Sequence, residues 1–216
     1  VPGASARRLM RAFGMPEDRI TTGLYSADTE VFASVRPLSQ RPVQFAFVGQ
    51  FIERKNVRRI RDAFAGFHHA GGAATLVMQG SGPLQSEITP ADGLVIERFG
   101  EPRRLANLLN QSRAIVLPSI EDHWPLAVHE AAACGCLLIL SEAVGSIPEF
   151  ATQANARVVR ASRTDDLMEA FRWAVSLSGA ALDAAGKVSE DRAAAFSPAR
   201  WATLFCDLCD RYLPER

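Results

Sequence analysis

Residues 119–136 read SIEDHWPLAVHEAAACGC. Two adjacent acids, Glu121 and Asp122, open the stretch. His123, Trp124 and Pro125 make a turn, and an alanine-rich run with a single carboxylate, Glu130, follows. Alanine favours helix and close packing, so Glu130 falls on a helix built for burial. A carboxylate buried there without partners is costly or takes up a proton, and its presence asks for a polar partner. Asp122 lies eight residues earlier, just outside the start of the helix, with Pro125 at the position expected to open it. The plain alternative is an acid favoured by the helix dipole together with an exposed Glu. The flanking segments decide between the two.

On either side stand apolar β-like runs, RAIVLPS from Arg113 and CLLILSE from Cys136. The same type of run recurs as VQFAFVG from Val43, ATLVMQG from Ala74, LVIERFG from Leu94 and ARVVR from Ala156. Between the runs lie VRRIRDAFAGFHHA, PLQSEI, PRRLANLLN, PLAVHEAAACG and SIPEFAT, all amphipathic or alanine-rich. Near-continuous apolar strands separated by helices predict a parallel sheet covered on both faces. The expected fold is a doubly wound, Rossmann-like α/β domain of about six strands, with ligands beyond the carboxyl ends of the strands. Residues 1–42 read as an arm, a helix over ARRLMRAFG and then a loop, TTGLYSADTEVFAS. Residues 43–160 form the core. Residues 161–216 are mostly helical, with one helix through DDLMEAFRWAVSL and a last one from Pro198 to Tyr212. The whole reads as one domain.

Composition narrows the class. The 216 residues are 48% apolar and 22% charged, with Lys+Arg and Asp+Glu equal at 24 each. These are the values of an ordinary globular chain, and they offer no basic field for nucleic acid or an anionic membrane. No apolar run reaches the ~18 residues of a membrane span, and no signal peptide opens the chain. VPGAS, without an initiator Met, leads straight into a helical pattern and reads as a cut from a longer protein. The four cysteines, Cys134, Cys136, Cys206 and Cys209, are expected to be buried free thiols rather than zinc ligands. The second pair lies in a helical segment where Phe205, Cys209 and Tyr212 share an apolar face.

Unusual residues gather at three strand ends. In FVGQFIERKNVRRIRDAF, residues 47–64, a strand ends at Gly49, a loop carries Lys55, and Asn56 is placed to cap the following helix. A helix N-terminus beside an ammonium is a ready phosphate site; the alternative is a solvated basic helix face, to which most of Arg54, Arg58, Arg59 and Arg61 would belong. In LVMQGSGPL, residues 76–84, Gly80 and Gly82 make a tight turn that would let a ligand approach the backbone. The third end is Leu117-Pro118-Ser119 with the opening stretch, whose carboxylates could accept hydrogen bonds from the vicinal hydroxyls of a ribose or pyranose. His123 and His129 read as packing residues, with contact to a sugar or phosphate as the alternative for His123.

Taken in order, FVGQFIERKN, LVMQGSGPL, IERFGEPRRLANLLNQSRAIVLPS and EDHWPLAVHEAAACGCLLILSEAVGSIPE resemble the C-terminal half of the family 4 glycosyltransferases. These are retaining enzymes with two facing Rossmann-like domains, the GT-B architecture. The last run carries their acid-x7-acid signature, and the resemblance is close from about Val43 to Phe150. It implies a nucleoside-diphosphate sugar as donor substrate, with no metal or other cofactor. Lys55 and Gly49 would meet the diphosphate, Asp122 the transferred sugar and Glu130 the ribose. Backbone around His123 and Leu126 would face sugar or phosphate, and Arg98 to Gly100 would face the base. The donor-site set is therefore Gly49, Gln50, Lys55, Gly80, Gly82, Arg98, Phe99, Ser119, Asp122, His123, Trp124, Leu126 and Glu130, with Lys55 and Asp122 as the catalytic pair.

Three departures stand out. Gln50 replaces an Arg of the family's cationic clamp, and a neutral amide forms a weaker hydrogen bond to an anion than a charged group does. Asp122 replaces a Glu; Glu121 is adjacent, but the register from Ser119 to Leu126 favours Asp122. Pro125 replaces a common Gly and removes one N–H. The implied partners are an N-terminal acceptor domain outside this chain and a carbohydrate or lipid-linked acceptor, with no nucleic acid. The implied location is the cytoplasm, with the further domain as the route to the inner membrane face. The competing functions are a donor-binding module without turnover and a nucleotide-sugar epimerase or hydrolase. A dinucleotide oxidoreductase is disfavoured because no G-x-G-x-x-G follows the first strand.

Overall fold

The computed structural model describes residues 1–213. Six parallel strands, β1 (Gln44–Val48), β2 (Thr75–Gln79), β3 (Leu94–Glu97), β4 (Ala114–Leu117), β5 (Leu137–Ser141) and β6 (Ala156–Val159), form one sheet in the order β3-β2-β1-β4-β5-β6. Their chemistry follows their place. The central β4 and β5 are buried at every position, whereas edge strands β3 and β6 leave Val95 and Val158 exposed. The strand order reverses between β1 and β4, opening a crevice beyond their carboxyl ends where doubly wound sheets bind ligands.

The helices are α1 (Ala4–Ala12), α2 (Val57–His69), α3 (Pro102–Gln111), α4 (Leu126–Ala133), α5 (Ile147–Phe150), α6 (Thr164–Ser176), α7 (Gly179–Ala194) and α8 (Pro198–Tyr212). Right-handed crossovers running in opposite directions from the centre place α2 on one face of the sheet and α3 and α4 on the other. On the first face, Phe45 of β1 meets Phe64 and Phe67 of α2 and Phe171 of α6, with ring centroids 4.8–6.5 Å apart. The arm is tied into the domain. The guanidinium of Arg41, 2% exposed, donates to the carbonyls of Leu109 (3.1 Å) and Ser112 (3.1 Å) at the end of α3 and of Cys134 (2.6 Å) at the end of α4. One cation thus meets the negative ends of two helix dipoles.

Several local expectations are corrected. PLQSEI holds only a 3₁₀ turn, Gln85–Glu87. Pro125 is the N-cap residue, extended at φ −69° and ψ 114°, and not the first residue of α4. Asn56, also an N-cap, makes no side-chain cap bond. The C-terminal region contains α7 as a separate helix; apart from Leu182 its buried face is small, with Ala185, Gly186, Ser189 and Ala193, so it lacks the bulky apolar stripe that marks a helix in sequence. Cys134 and Cys136 are buried, but Cys206 is exposed and Cys209 half-buried, because α8 has no fully buried residue.

Candidate functional site

The crevice is built from three loops that hold one another. After β1, the Gly49 N–H donates to Gln79 (3.1 Å), Phe51 N–H donates to Ser81 (2.9 Å), and Phe51 accepts from Leu84 N–H (3.0 Å). The β1 and β2 loops run so close that a Cβ on Gly80 would lie 1.9 Å from the Gly49 carbonyl, and one on Gly82 would lie 2.6 Å from the Phe51 carbonyl. At the end of this loop Asn56 takes the left-handed conformation, φ 59°. Its side-chain amide donates to Pro118 (2.9 Å) and Ala161 (2.8 Å), joining the ends of β1, β4 and β6.

Lys55, immediately before this staple, directs its ammonium at Oδ2 of Asp122 in an ion pair with side-chain exposures of 13% and 8%. Ser119 Oγ also donates to Oδ2 (3.4 Å), and Arg54 Nη1 lies 3.8 Å from Oδ1. The backbone of Asp122 is fixed by bonds from its N–H to Ala143 (3.3 Å) and from Gly145 N–H to its carbonyl (2.7 Å).

Beside this pair lies a cleft of about 450 Å³, lined among others by Gly49, Gln50, Arg54, Lys55, Phe99, Leu126 and Glu130. Leu126 and Ala127 are in the first turn of α4, where N–H groups have no intrahelical acceptor. Burial alone pushes the Glu130 carboxyl up to about 7. A larger cavity, about 750 Å³, lies between residues 24–30 and the start of α8; it shares only Leu126 with the cleft and reaches neither Lys55 nor Glu130. Asp28 and Glu30 line the larger one, but both lining cations and the perturbed Glu130 carboxyl are in the smaller. This arrangement offers cations and N–H groups to an anion at one end, and a carboxylate to hydroxyls at the other.

The sequence profile of the family described as Glycosyl transferases group 1 matches residues 42–176, which run from just before β1 to the end of α6. This chain belongs to the group 1 glycosyltransferases. It is 30% identical over 150 residues to the GDP-mannose-dependent alpha-(1-6)-phosphatidylinositol dimannoside mannosyltransferase of Mycobacterium tuberculosis, a match covering 67% of the chain and 39% of that protein. The chain thus spans well under half of that relative. In structure it is similar to sucrose-phosphate synthase from Thermosynechococcus elongatus, with TM-score 0.83 and 19% identity over 98% of this chain and 57% of that one. It is also similar to the C-terminal domain of a glycosyl transferase group 1 family protein from Francisella tularensis, with TM-score 0.67 and 17% identity over 79% and 97%. The six-stranded Rossmann-like sheet is that of GT-B glycosyltransferases.

In this group 1 domain the residues singled out in the sequence separate into three sets. Gly49, Gln50, Lys55, Phe99, Leu126 and Glu130 line the cleft, with Asp122 and Ser119 joined to it through Lys55. Gly80 and Gly82 serve the approach of the neighbouring loop's backbone, the role expected of a ligand. Arg98, His123 and Trp124 are not among the cleft-lining residues. Arg98 is exposed. The His123 side chain is 85% exposed and sits 3.1 Å from Glu121 Oε1, which corrects its reading as a packing residue. Trp124 instead packs among Tyr25, Phe150 and Phe196. His129 is structural: Nδ1 accepts from Ala27 N–H (3.1 Å), Nε2 faces the Ala193 carbonyl (3.3 Å), and the ring stacks on Phe150. Burial holds its pKa down to about 4, so the ring is neutral.

Sequence reasoning missed the places of two residues at this cleft, one lining it and one fastening its loop. Arg54 was grouped with the arginines of the basic helix face, although α2 begins only at Val57 and position 54 lies in the 3₁₀ turn Glu53–Lys55 before it. Asn56 was read as a cap, and nothing local signals that its amide spans to β4 and β6.

Proposed function

We propose that this domain is the donor-binding, C-terminal half of a retaining family 4 glycosyltransferase. The observation that carries the reading is the convergence of Lys55 and Glu130 on one cleft at the sheet's reversal point. Glu130 accepts hydrogen bonds from the ribose hydroxyls, Lys55 and the first-turn N–H groups of α4 hold the diphosphate, and Asp122 orients the transferred sugar. As the diphosphate departs, the preorganised cation and N–H groups stabilise the developing charge. The leaving phosphate takes the acceptor proton from the same face of the sugar, so the anomeric configuration is retained. The reading assigns no step to a metal.

The acceptor belongs to a further domain, consistent with the greater length of the mycobacterial relative and with the C-terminal position named for the Francisella domain. That relative acts on a phosphatidylinositol dimannoside, which makes a GDP-sugar the first donor to test and a lipid-linked or soluble glycan the acceptor class. The setting proposed is the cytoplasmic membrane face. Among the described residues no helix is long and apolar enough to cross a membrane. The second reading, a donor-binding module without turnover, draws on Gln50 and Pro125, which offer neither a cation nor an N–H where the resemblance expects them.

Calorimetric titration of the chain with GDP, UDP, ADP and NAD, beside Glu130→Ala, tests donor binding. Binding of one nucleoside diphosphate that is lost in Glu130→Ala supports the reading; binding of none removes it. Sugar transfer by the full-length protein, with product stereochemistry read by NMR, separates the enzyme from the silent module.

A further inference from the structure

We propose that Arg54 is the second phosphate-binding cation of the cleft. The inference rests on the donor-site reading above and adds a residue to it.

The charges at the cleft lead there. Lys55 and Arg54 are its lining cations, and Glu130 is its lining anion. Lys55 is committed to Asp122, whose side chain is only 8% exposed, so that pair is neutral as a unit. A diphosphate carries more than one negative charge, and Gln50, exposed on the same rim, supplies none. The other arginines of this region are engaged away from the cleft. Arg58 pairs with Glu53 and Glu87. Arg59 donates to the Ser162 carbonyl and Thr164 Oγ1, and Arg61 to Asp62 and the Glu87 carbonyl.

Arg54 is held differently. Its backbone is pinned, because its carbonyl accepts from Ile120 N–H at 2.8 Å. Its side chain is 44% exposed, and its polar contacts are the Glu121 carbonyl (3.0 Å) and the 3.8 Å approach to Asp122 Oδ1. A guanidinium resting on a neutral carbonyl gains by exchanging it for phosphate oxygens, which it can meet with two parallel N–H groups. The turn keeps it beside Lys55, so both cations act on one diphosphate. Position 54 thus supplies what position 50 lacks.

The test compares diphosphate with nucleoside. GDP, UDP and ADP are titrated calorimetrically into the wild-type chain, Arg54→Ala, Arg58→Ala and the double variant Arg54→Ala/Gln50→Arg; the matching nucleosides are followed by ligand-observed NMR. Arg54→Ala is expected to weaken diphosphate binding about 10- to 100-fold, the worth of a hydrogen bond to a charged group, and to leave nucleoside binding and melting temperature unchanged. Arg58→Ala is expected to match wild type, and the double variant to regain affinity. Unchanged diphosphate affinity in Arg54→Ala, or an equal loss for diphosphate and nucleoside, overturns the assignment alone. Failure of wild type to bind any of the three diphosphates overturns the donor-site reading and the assignment with it.

Discussion

The side-chain amide of Asn56 lies 2.9 Å from the carbonyl of Pro118, so the loop that carries Lys55 is fastened to the strand end that carries Asp122. Asn56 is also the non-glycine residue with positive φ among those described. Two effects can therefore be separated. Asn56→Gly keeps the conformation and loses two hydrogen bonds, about 1–3 kcal/mol in total. Asn56→Ala adds about 1–2 kcal/mol of left-handed strain. Thermal melts should place Asn56→Ala below Asn56→Gly and both below wild type, at about 2–4 °C per kcal/mol for a chain of this size. Equal melting temperatures for all three proteins would remove the staple.

In the Lys55–Asp122 pair the carboxylate is buried and the ammonium is largely withdrawn from water at the cleft wall. Removing one partner of such a pair strands the other charge, at about 3–5 kcal/mol. Lys55→Ala and Asp122→Ala should each unfold at lower denaturant, and the double variant should be more stable than the sum of their losses predicts. In the full-length enzyme, Lys55→Ala should also lose at least about 100-fold in turnover, by comparison with single oxyanion-hole donors. Wild-type kinetics in that variant would exclude Lys55 from the reaction.

Partial burial pushes the Glu130 carboxyl up to about 7 in the folded domain, above its ordinary 4.5. The folded state then holds its proton more tightly than the unfolded state, so stability falls as pH rises from about 4.5 through 7. The span is about 3 kcal/mol. Glu130→Gln should flatten this slope. On the proposed reading a ribose is bound by the carboxylate form, so nucleotide affinity should rise with pH through 7, with proton release on binding at pH 6–7. Calorimetry in two buffers of different ionisation enthalpy measures that release; a buffer-independent heat would contradict the assignment.

His129, one residue away, has the opposite slope. Its pKa is lowered from 6.5 to about 4 by burial, so it stays neutral in the fold while the unfolded chain takes up a proton. The stability it supports is complete above about 6.5 and is lost as pH falls through 4, a span of about 3 kcal/mol. Urea melts of His129→Gln between pH 4 and 7 should show a shallower acid limb than wild type. Nucleotide binding at pH 7.5 should be unaffected where the variant is folded.

The strands were legible because parallel strands buried on both faces must be continuously apolar, as AIVL and LLILS are. The same regularity put Lys55 after the first strand and Asp122 and Glu130 after the fourth, at the carboxyl edge of the sheet. The helix α7 was hidden because, apart from Leu182, it packs through alanine, glycine and serine, which carry little periodic signal. The two glycines after β2 could be seen to be needed, but not that the nearby backbone of Gly49 and Phe51 was the reason.

What sequence by itself determined was the class of fold, the glycosyltransferase family and which residues stand at the carboxyl ends of the strands, because these depend on local pattern and spacing. Tertiary structure alone decided which charges meet. Lys55 faces Asp122, Arg54 lines the cleft while Arg58, Arg59 and Arg61 do not, Trp124 turns into an aromatic cluster, and Asn56 fastens three strand ends. Such pairings join residues about 60 to 105 positions apart, and only the closing of the sheet brings them within reach. Whether a charge is neutralised, spare or stranded depends on that proximity and on how much water is left around it.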